Sequence, residues 1–403
     1  MSELSMTAKF SLGLLVIVSS ALLLGNTPDL RVSGTTSQRL AFANRSGQGW
    51  TIIGNPNPTS LAEFNSVSCT SRNTCLAVGD YTSSDGRTHS LAEGWNGRRW
   101  IVLPGPRTGP VTFLVSISCV STRLCVVVGL NQGSLSTGLI WNGNSWQNMG
   151  PPLAFNVLAL DCVSAAFCAA GGNKDEASFT TSTEEIWNGS SWSQSATPTT
   201  RSTVRASVLD GVSCASTRFC MAVGRSGEQY RQRPSAEILR AGRWVDLATR
   251  TPRGAIADFF SAVSCPSLDF CVAVGSALVG LRYQSLIESW NGKNWSLSPP
   301  LTLESRADSA ELDGVSCASP RQCVAVGDVY RFSGGHQVRR TLIAVYSGSD
   351  WQVVASRNRA GLSDNYLDSV SCTGSDLSCI AVGASRSISS RNSEALAEAT
   401  QSS

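Results

Sequence analysis

A cysteine pair that recurs seven times constrains this chain more than any other feature. The pairs are Cys69/Cys75, Cys119/Cys125, Cys162/Cys168, Cys214/Cys220, Cys265/Cys271, Cys317/Cys323 and Cys372/Cys379, and they use all 14 cysteines. Five residues separate the partners in six copies, and six residues in the last. In the first copy the frame reads Ser66-Val67-Ser68-Cys69, then Cys75-Leu76-Ala77-Val78-Gly79. First cysteines follow one another at 50, 43, 52, 51, 52 and 55 residues. Such a period marks repeated supersecondary units, and four short strands per unit predict a β-propeller.

A second motif trails each pair. Trp95-Asn96-Gly97-Arg98-Arg99-Trp100 recurs as Trp141 to Trp146, Trp187 to Trp192 and Trp290 to Trp295. Leu239 to Trp244 and Tyr346 to Trp351 keep the spacing with a different first residue. Asn-Gly between apolar residues signals a hairpin whose two turn residues both take positive φ. A loop of two or of four residues puts both indoles on one face. Each unit therefore predicts four strands: A through Val-Ser-Cys, B through Cys-x-Ala-Val-Gly, C through Leu-x-Glu-x-Trp, and D from the second Trp towards a proline. Small Ser, Ala, Gly and Cys side chains suit the narrow inner end of a wedge-shaped blade, and Trp suits the wide outer end. That places A innermost and D outermost.

The two ends of the repeat region complement each other. The seventh unit stops after Ala395 to Thr400, a strand C without a strand D, while Trp50 to Pro58 is a strand D without a unit. The N-terminal strand is expected to complete the last blade, closing a seven-bladed, all-β ring with no open sheet edge. An open solenoid, the alternative, has no need of complementary remnants. In such a meander the cysteine hairpins and Asn-Gly turns share one face, and the B–C loops and D–A linkers share the other. Only the second face varies, as in Arg225 to Ala236 against Leu130 to Gly138. Varied loops on a rigid scaffold are where binding concentrates.

At 403 residues with 42% hydrophobic content, residues 50–403 suffice for one domain with a sizeable core. A net charge of +3 gives no field suited to nucleic acid. The cysteines point to an oxidising compartment, and partners flanking a short hairpin can reach bonding distance. Each such bond contributes roughly 2 kcal/mol by the loop-entropy estimate. Metal binding is the rival reading, but zinc favours closer cysteines and two pairs together. Phe10 to Gly25 is an apolar run of signal-peptide length, so 1–25 is read as a signal peptide or an N-terminal membrane anchor, and 26–49 as a linker. The expected location is secreted or on the extracytoplasmic surface, touching the membrane only through that segment.

Four positions before the first cysteine, the repeats carry Asn65, Val115, Leu158, Asp210, Ser261, Asp313 and Asp368. This is the start of the innermost strand, near the channel mouth on the variable face. Three carboxylates and an amide there suit a cation or a sugar, although an Asp at a strand start also bonds nearby backbone amides. Glu93, Glu185, Glu237, Glu288 and Glu398 share a position two residues before the first Trp. Carboxylates in separate outer strands are too far apart for acid–base work, so these read as structural contacts. The B–C loops of blades four to seven hold Arg225, Arg231, Arg233, Arg282, Arg331, Arg339, Arg340, Arg386 and Arg391, a basic sector suited to an anionic polymer. Asp258, Glu304, Asp308, Glu311 and Asp364 dilute it. The two histidines, His89 and His336, fall in different blades, which argues against a multi-His metal site and against Ser-His-Asp chemistry. No phosphate-binding loop is found, and no cofactor is expected.

Ala-Val-Gly followed by Trp-Asn-Gly-x-x-Trp and a proline resembles the kelch-type blade, although the kelch double glycine occupies its place only at Gly171-Gly172. The nearer resemblance, over residues 50–400, is to secreted or surface repeat proteins of high-GC bacteria with Ser-Cys-x-Ser-x-x-x-Cys-x-Ala-Val-Gly units. It implies a propeller and no particular activity. Ser83 to Thr88 resembles an Asp-box of the sialidase propellers, but it occurs once and lacks the closing aromatic. The expectation is a monomeric, non-catalytic binding or scaffold propeller that recognises a surface glycan, a cell-wall polymer or a protein. Its candidate ligand-binding residues are Asn65, Asp210, Asp313, Asp368, Arg225, Arg331 and Arg339. The alternative is a carbohydrate-active hydrolase or lyase with Asp210, Asp313 or Asp368 at the channel mouth. Clustered carboxylates with raised pKa favour the alternative; aspartates all bonded to backbone count against it.

Overall fold

The computed structural model describes residues 49–400, apart from residue 60 and segments 107–110, 132–135, 176–178, 196–205, 229–230, 306–307, 334–335, 360–363 and 388–391. The apolar run at 10–25, the linker before residue 49, and Arg391 lie outside the described residues. No described helix is long and apolar enough to cross a membrane.

The described residues form seven four-stranded antiparallel sheets. Blade one shows the plan: strand A is Ala62–Ser71, B is Thr74–Thr82, C is Thr88–Trp95 and D is Trp100–Val102. The seventh blade is composite. Asp364–Thr373, Ser378–Arg386 and Ser393–Thr400 supply A, B and C, and Trp50–Ile52 supplies D, with Trp50 opposite Thr400. Past this short strand, Asn57 extends the pairing with its side chain. Its amide donates to the Ala395 carbonyl at 3.4 Å, and its Oδ1 accepts from the Ala395 N–H at 2.8 Å. The chain is therefore the expected seven-bladed propeller, closed by an N-terminal outer strand.

The apolar core is divided into seven clusters, each shared by two neighbouring blades. Between blades seven and one, Phe64, Val67, Leu91 and Trp100 meet Ile380, Val382 and Ala397. Trp50 packs with Val324, Val326 and Ile343 of blade six. The buried indole of an outer strand thus faces the preceding blade, and its large apolar area makes it an anchor for that junction. The indoles of each Trp pair lie tilted against one another, at centroid distances of 5.6 Å for Trp95–Trp100 and 5.1 Å for Trp141–Trp146.

All 14 cysteines are disulfide-bonded in the seven expected pairs. Seven disulfides fit an oxidising, extracytoplasmic setting. The residue before each first cysteine links adjacent blades. Its side chain accepts a hydrogen bond from the N–H of the first cysteine in the next blade. Ser68 accepts from Cys119 at 2.9 Å, Ser118 from Cys162, Ser213 from Cys265, Ser264 from Cys317 and Ser316 from Cys372 at 3.0 Å, and Ser371 from Cys69 at 2.9 Å. Blade three has Asp161 here, and its carboxylate accepts from Cys214 at 2.7 Å. The circuit is unbroken and passes from blade seven back to blade one.

Every strand A carries a β-bulge four residues before its first cysteine. In blade one the register passes from Phe64/Gly79 to Ser66/Val78, leaving Asn65 unpaired, and the same shift skips Val115, Leu158, Asp210, Ser261, Asp313 and Asp368. A bulge leaves one residue out of the ladder and bends the strand. That bend explains the glycine of Ala-Val-Gly. A Cβ added to Gly79 would lie 2.0 Å from the Glu63 carbonyl oxygen, and one on Gly327 would lie 2.1 Å from that of Glu311.

The Asn-Gly turns correct one expectation. Trp95 and Trp100 pair across a four-residue loop in which Gly97 has φ 86° and Asn96 does not enter positive φ. Asn96 instead caps the turn, its Oδ1 accepting from the N–H groups of Arg98 and Arg99, each at 3.0 Å. The two-residue turn with both φ positive occurs in blade four, at Ala241 (49°) and Gly242 (75°), where the asparagine is missing.

Candidate functional site

The seven bulged residues are all half-buried and lie within the body of strand A rather than at its entry, as Ser261 does midway along Ala255–Ser267, and the A strands of consecutive blades touch all the way round the ring. This circle is chemically lopsided. Val115 and Leu158 make it apolar at blades two and three, whereas Asp313, Asp368 and Asn65 follow one another at blades six, seven and one.

A stacked network surrounds those three. The Arg339 guanidinium lies over the Tyr330 ring at 5.1 Å and the Tyr366 ring at 4.5 Å, and the Arg386 guanidinium covers Tyr366 at 5.2 Å. Such contacts join cation–π attraction to flat packing. Carboxylates hold the ladder from outside. Arg386 grips Glu63 through Nε at 2.9 Å and Nη2 at 2.6 Å to both oxygens. Arg339 donates through Nε to Asp328 at 3.0 Å, and its backbone N–H donates to Asp364 at 2.9 Å. The Tyr330 hydroxyl donates to Glu311 at 3.2 Å, and the Tyr366 hydroxyl to Glu63 at 3.3 Å. Asn65 donates to Asp80 at 3.3 Å and to the Leu114 carbonyl at 3.0 Å, bridging to blade two.

Charge crowding sets the titration of this sector. Burial, then the neighbouring carboxylates of Asp328, Asp368 and Glu311, push Asp313 well above the ordinary carboxylate range, against the pull of Arg339. Burial and then Glu63 push Asp80 up to about 7, opposed by the Asn65 hydrogen bond and by Arg386. Burial and the adjoining Glu63 and Asp368 likewise raise the Tyr366 hydroxyl. Raising a carboxyl in this way favours its protonated form.

The structure thus gathers Asn65, Asp313, Asp368 and Arg339 into one sector. Asp210 and Arg225 form a separate ion pair at 3.1 Å in blade four, with Arg225 over the Phe259 ring at 5.8 Å. Arg331 pairs with Glu304 at 2.8 Å and Asp308 at 3.2 Å, and Arg233 with Asp258 at 2.7 Å. These arginines therefore face carboxylates of their own chain. Tyr330, Tyr366, Glu63, Asp80 and Asp328 belong to this candidate sector and are not marked by the repeat motifs. Aligned repeat against repeat, they occupy strand positions near the bulge where other blades carry different residues: Phe113 stands in blade two where Glu63 and Tyr366 stand, and Leu130 where Asp80 and Asp328 stand.

The repeated glutamates lie elsewhere. Glu93, Glu288 and Glu398 are fully buried in strand C. Glu288 accepts from the Arg250 N–H at 3.0 Å, and Glu398 from the Arg357 N–H at 3.2 Å and the Ser356 hydroxyl at 3.0 Å. Each thereby ties down the linker leaving the preceding blade, and burial pushes all three up to about 7. His89 stacks on Tyr81 at 5.2 Å, with Nε2 3.0 Å from Ser83 Oγ. That hydroxyl also bonds Asp85, so the serine is held inside a turn rather than presented as a nucleophile. Among the described residues, no group of three or more His, Cys, Asp or Glu is placed to hold a metal ion.

The sequence matches no protein-family model and no curated protein. Among solved structures, it is similar to a chain described as YCF48 bound to D1 peptide, with a TM-score of 0.53 at 11% identity, covering 88% of this chain and 95% of that one. At that identity the likeness shows the fold, a β-propeller, and nothing finer.

Proposed function

We propose that this chain is an extracytoplasmic binding propeller that recognises a protein segment at the variable-face mouth of blades six, seven and one. One observation carries the reading: a seven-fold scaffold concentrates a stacked Tyr/Arg ladder and its carboxylates in a single sector, although the same backbone accepts Val115 and Leu158 elsewhere. Fold maintenance needs no such asymmetry. The partner class follows the solved propeller described with a bound peptide.

A second reading also has an observation behind it. Asp313, held well above the ordinary carboxylate range with Asp368 among the charges acting on it, is the kind of raised carboxyl that general-acid glycoside chemistry uses. One experiment separates the readings. The oxidised full-length chain is presented with a peptide library and with neutral and anionic envelope polysaccharides, scoring retention and newly formed chain ends together. Peptide retention without new ends supports the protein-binding reading, and retention of polysaccharide alone moves the site to a glycan. New ends that vanish in the Asp313→Ala variant make the protein a hydrolase or lyase.

A further inference from the structure

We infer that the face carrying the cysteine hairpins and the C–D turns docks on an anionic lipid surface, with its arginines at the headgroups. This face lies opposite the variable loops, so the inference does not rest on the reading above and leaves those loops free.

Repetition builds the face. In blade one Cys69, Cys75, Trp95 and Trp100 stand side by side across the four strands, and Cys119, Cys125, Trp141 and Trp146 do so in blade two. The tips beyond this row end nearly level, because the paired cysteines are six residues apart in six blades and seven in the last. Among the described residues, the A–B tips present Arg72, Arg123, Arg218 and Arg321, all exposed. The C–D turns present Arg98, Arg99 and Lys293, and Arg240 and Arg243 flank the turn of blade four, again all exposed. The carboxylates on the same tips are Asp269, Asp350 and Asp376. Nine cations against three anions leave an excess of six positive charges on one face of a chain whose whole net charge is +3. None of the nine side chains forms an ion pair with a described residue.

Short side chains fix the backbone under these cations. Ser121, Ser216 and Ser319 accept from the N–H groups of Arg123, Arg218 and Arg321, each at 3.3 Å, as Asn96 accepts from Arg98 and Arg99. A level face suits a plane of headgroups better than a chain that needs a cleft, and each basic side chain near an anionic plane adds attraction. Leu268, 51% exposed at the tip of the blade-five hairpin, supplies an apolar contact among them. The chain also enters the propeller on this side. Trp50 pairs with Thr400, whose hydroxyl accepts from the Cys379 N–H at 3.0 Å, beside the last cysteine pair. A membrane anchor at 10–25, one of the two expectations for that run, would therefore join the ring on the face that carries the excess charge.

The test uses the full-length oxidised chain with vesicles of mixed phosphatidylglycerol and phosphatidylcholine, and with vesicles of phosphatidylcholine alone. Amide hydrogen exchange at the A–B tips and C–D turns is the readout. Exchange separates docking from tethering, because an inserted run at 10–25 would hold the chain to both vesicles without covering the tips. Anionic vesicles should slow exchange at the tips, added salt should restore it, and neutral vesicles should leave it unchanged. The lipid concentration for half-protection should rise roughly 100-fold when Arg72→Ser, Arg98→Ser and Arg99→Ser are combined, about fivefold for each arginine. It should stay the same when Arg231→Ser and Arg253→Ser are combined, since both are exposed on the variable face. Equal exchange at the tips with both vesicles overturns the inference, and so does protection of the variable loops in their place. Protection of the tips by a soluble anionic polysaccharide, but not by vesicles, moves the face to a polymer and overturns it too.

Discussion

Blades two and three carry Val115 and Leu158 where blades six and seven carry Asp313 and Asp368, on one backbone plan. All four blades share the bulge, the inner-strand glycine, the hairpin disulfide and the side-chain link to the next blade. They differ in what the bulge presents. A bulged residue is out of the ladder and half-buried, so its side chain is bound by neither pairing nor core packing. The comparison teaches that this position is where the scaffold leaves chemistry free to vary. One half of the ring used that freedom for apolar side chains, and the other built a charged, stacked cluster.

The sharpest attempt to break the comparison targets what both halves share. Gly172→Ala in blade three and Gly327→Ala in blade six each force a Cβ against a carbonyl oxygen, at 1.9 and 2.1 Å. Both should lose more than about 4 kcal/mol, or fail to fold, in denaturant unfolding. Sensitivity in only one half would show that the backbones are not equivalent.

The next test concerns what differs. Asp313→Asn should stabilise the protein at pH 7.5, because a carboxyl whose folded pKa is raised favours the native state only while protonated in both states. The gain should fade as pH falls towards 3.8, where the unfolded carboxyl also protonates. Leu158→Asn, at the equivalent position of blade three, should show no such pH-dependent gain. Equal thermal shifts in both variants at every pH would remove the charge-crowding account.

Buried glutamates sharpen the comparison from outside the mouth. Glu288 rises from 4.5 to about 7, so its stabilising contribution is complete below pH 4.5 and is lost as pH rises through 7. At about 1.4 kcal/mol per pKa unit, its ceiling is about 3 kcal/mol. Glu288→Gln should flatten the melting temperature between pH 5 and pH 8, while the wild type melts higher at pH 5. A smaller effect is expected at the inter-blade circuit. Ser264→Ala removes the acceptor of the Cys317 N–H and should cost about 1 kcal/mol. The loss should be similar for Ser68→Ala, which lies at the junction of blades one and two.

Much of this architecture was legible because repetition averages out local ambiguity. Seven cysteine pairs, six of them in one spacing, gave the hairpins, and the unmatched Trp50 and Ala395–Thr400 segments gave the closure. Other features were hidden because they depend on contacts between blades. Ser68 looks like an ordinary strand residue until Cys119 is beside it. The turn at Asn96 was misread because an Asn side chain can cap a four-residue loop as readily as its backbone can enter positive φ. The candidate site was half legible. The bulge column identified Asn65, Asp313 and Asp368. The arginine list did not reveal that Arg225, Arg331 and Arg339 already face Asp210, Glu304 and Asp328. Pairing across loops and strands decides that, and the order of residues does not record it.

The two kinds of closure in this ring operate at very different ranges along the chain. Each cysteine finds its partner six or seven residues away, the shortest search a chain can offer. The seventh blade instead joins Trp50 to Thr400, nearly the whole propeller apart. A polypeptide delivered N-terminus first can oxidise its hairpins one by one as they emerge. Its first strand must then wait for its last: an oxidised but unsealed ring exposes the strand C edge at Ser393–Thr400 until Trp50–Ile52 returns to cover it.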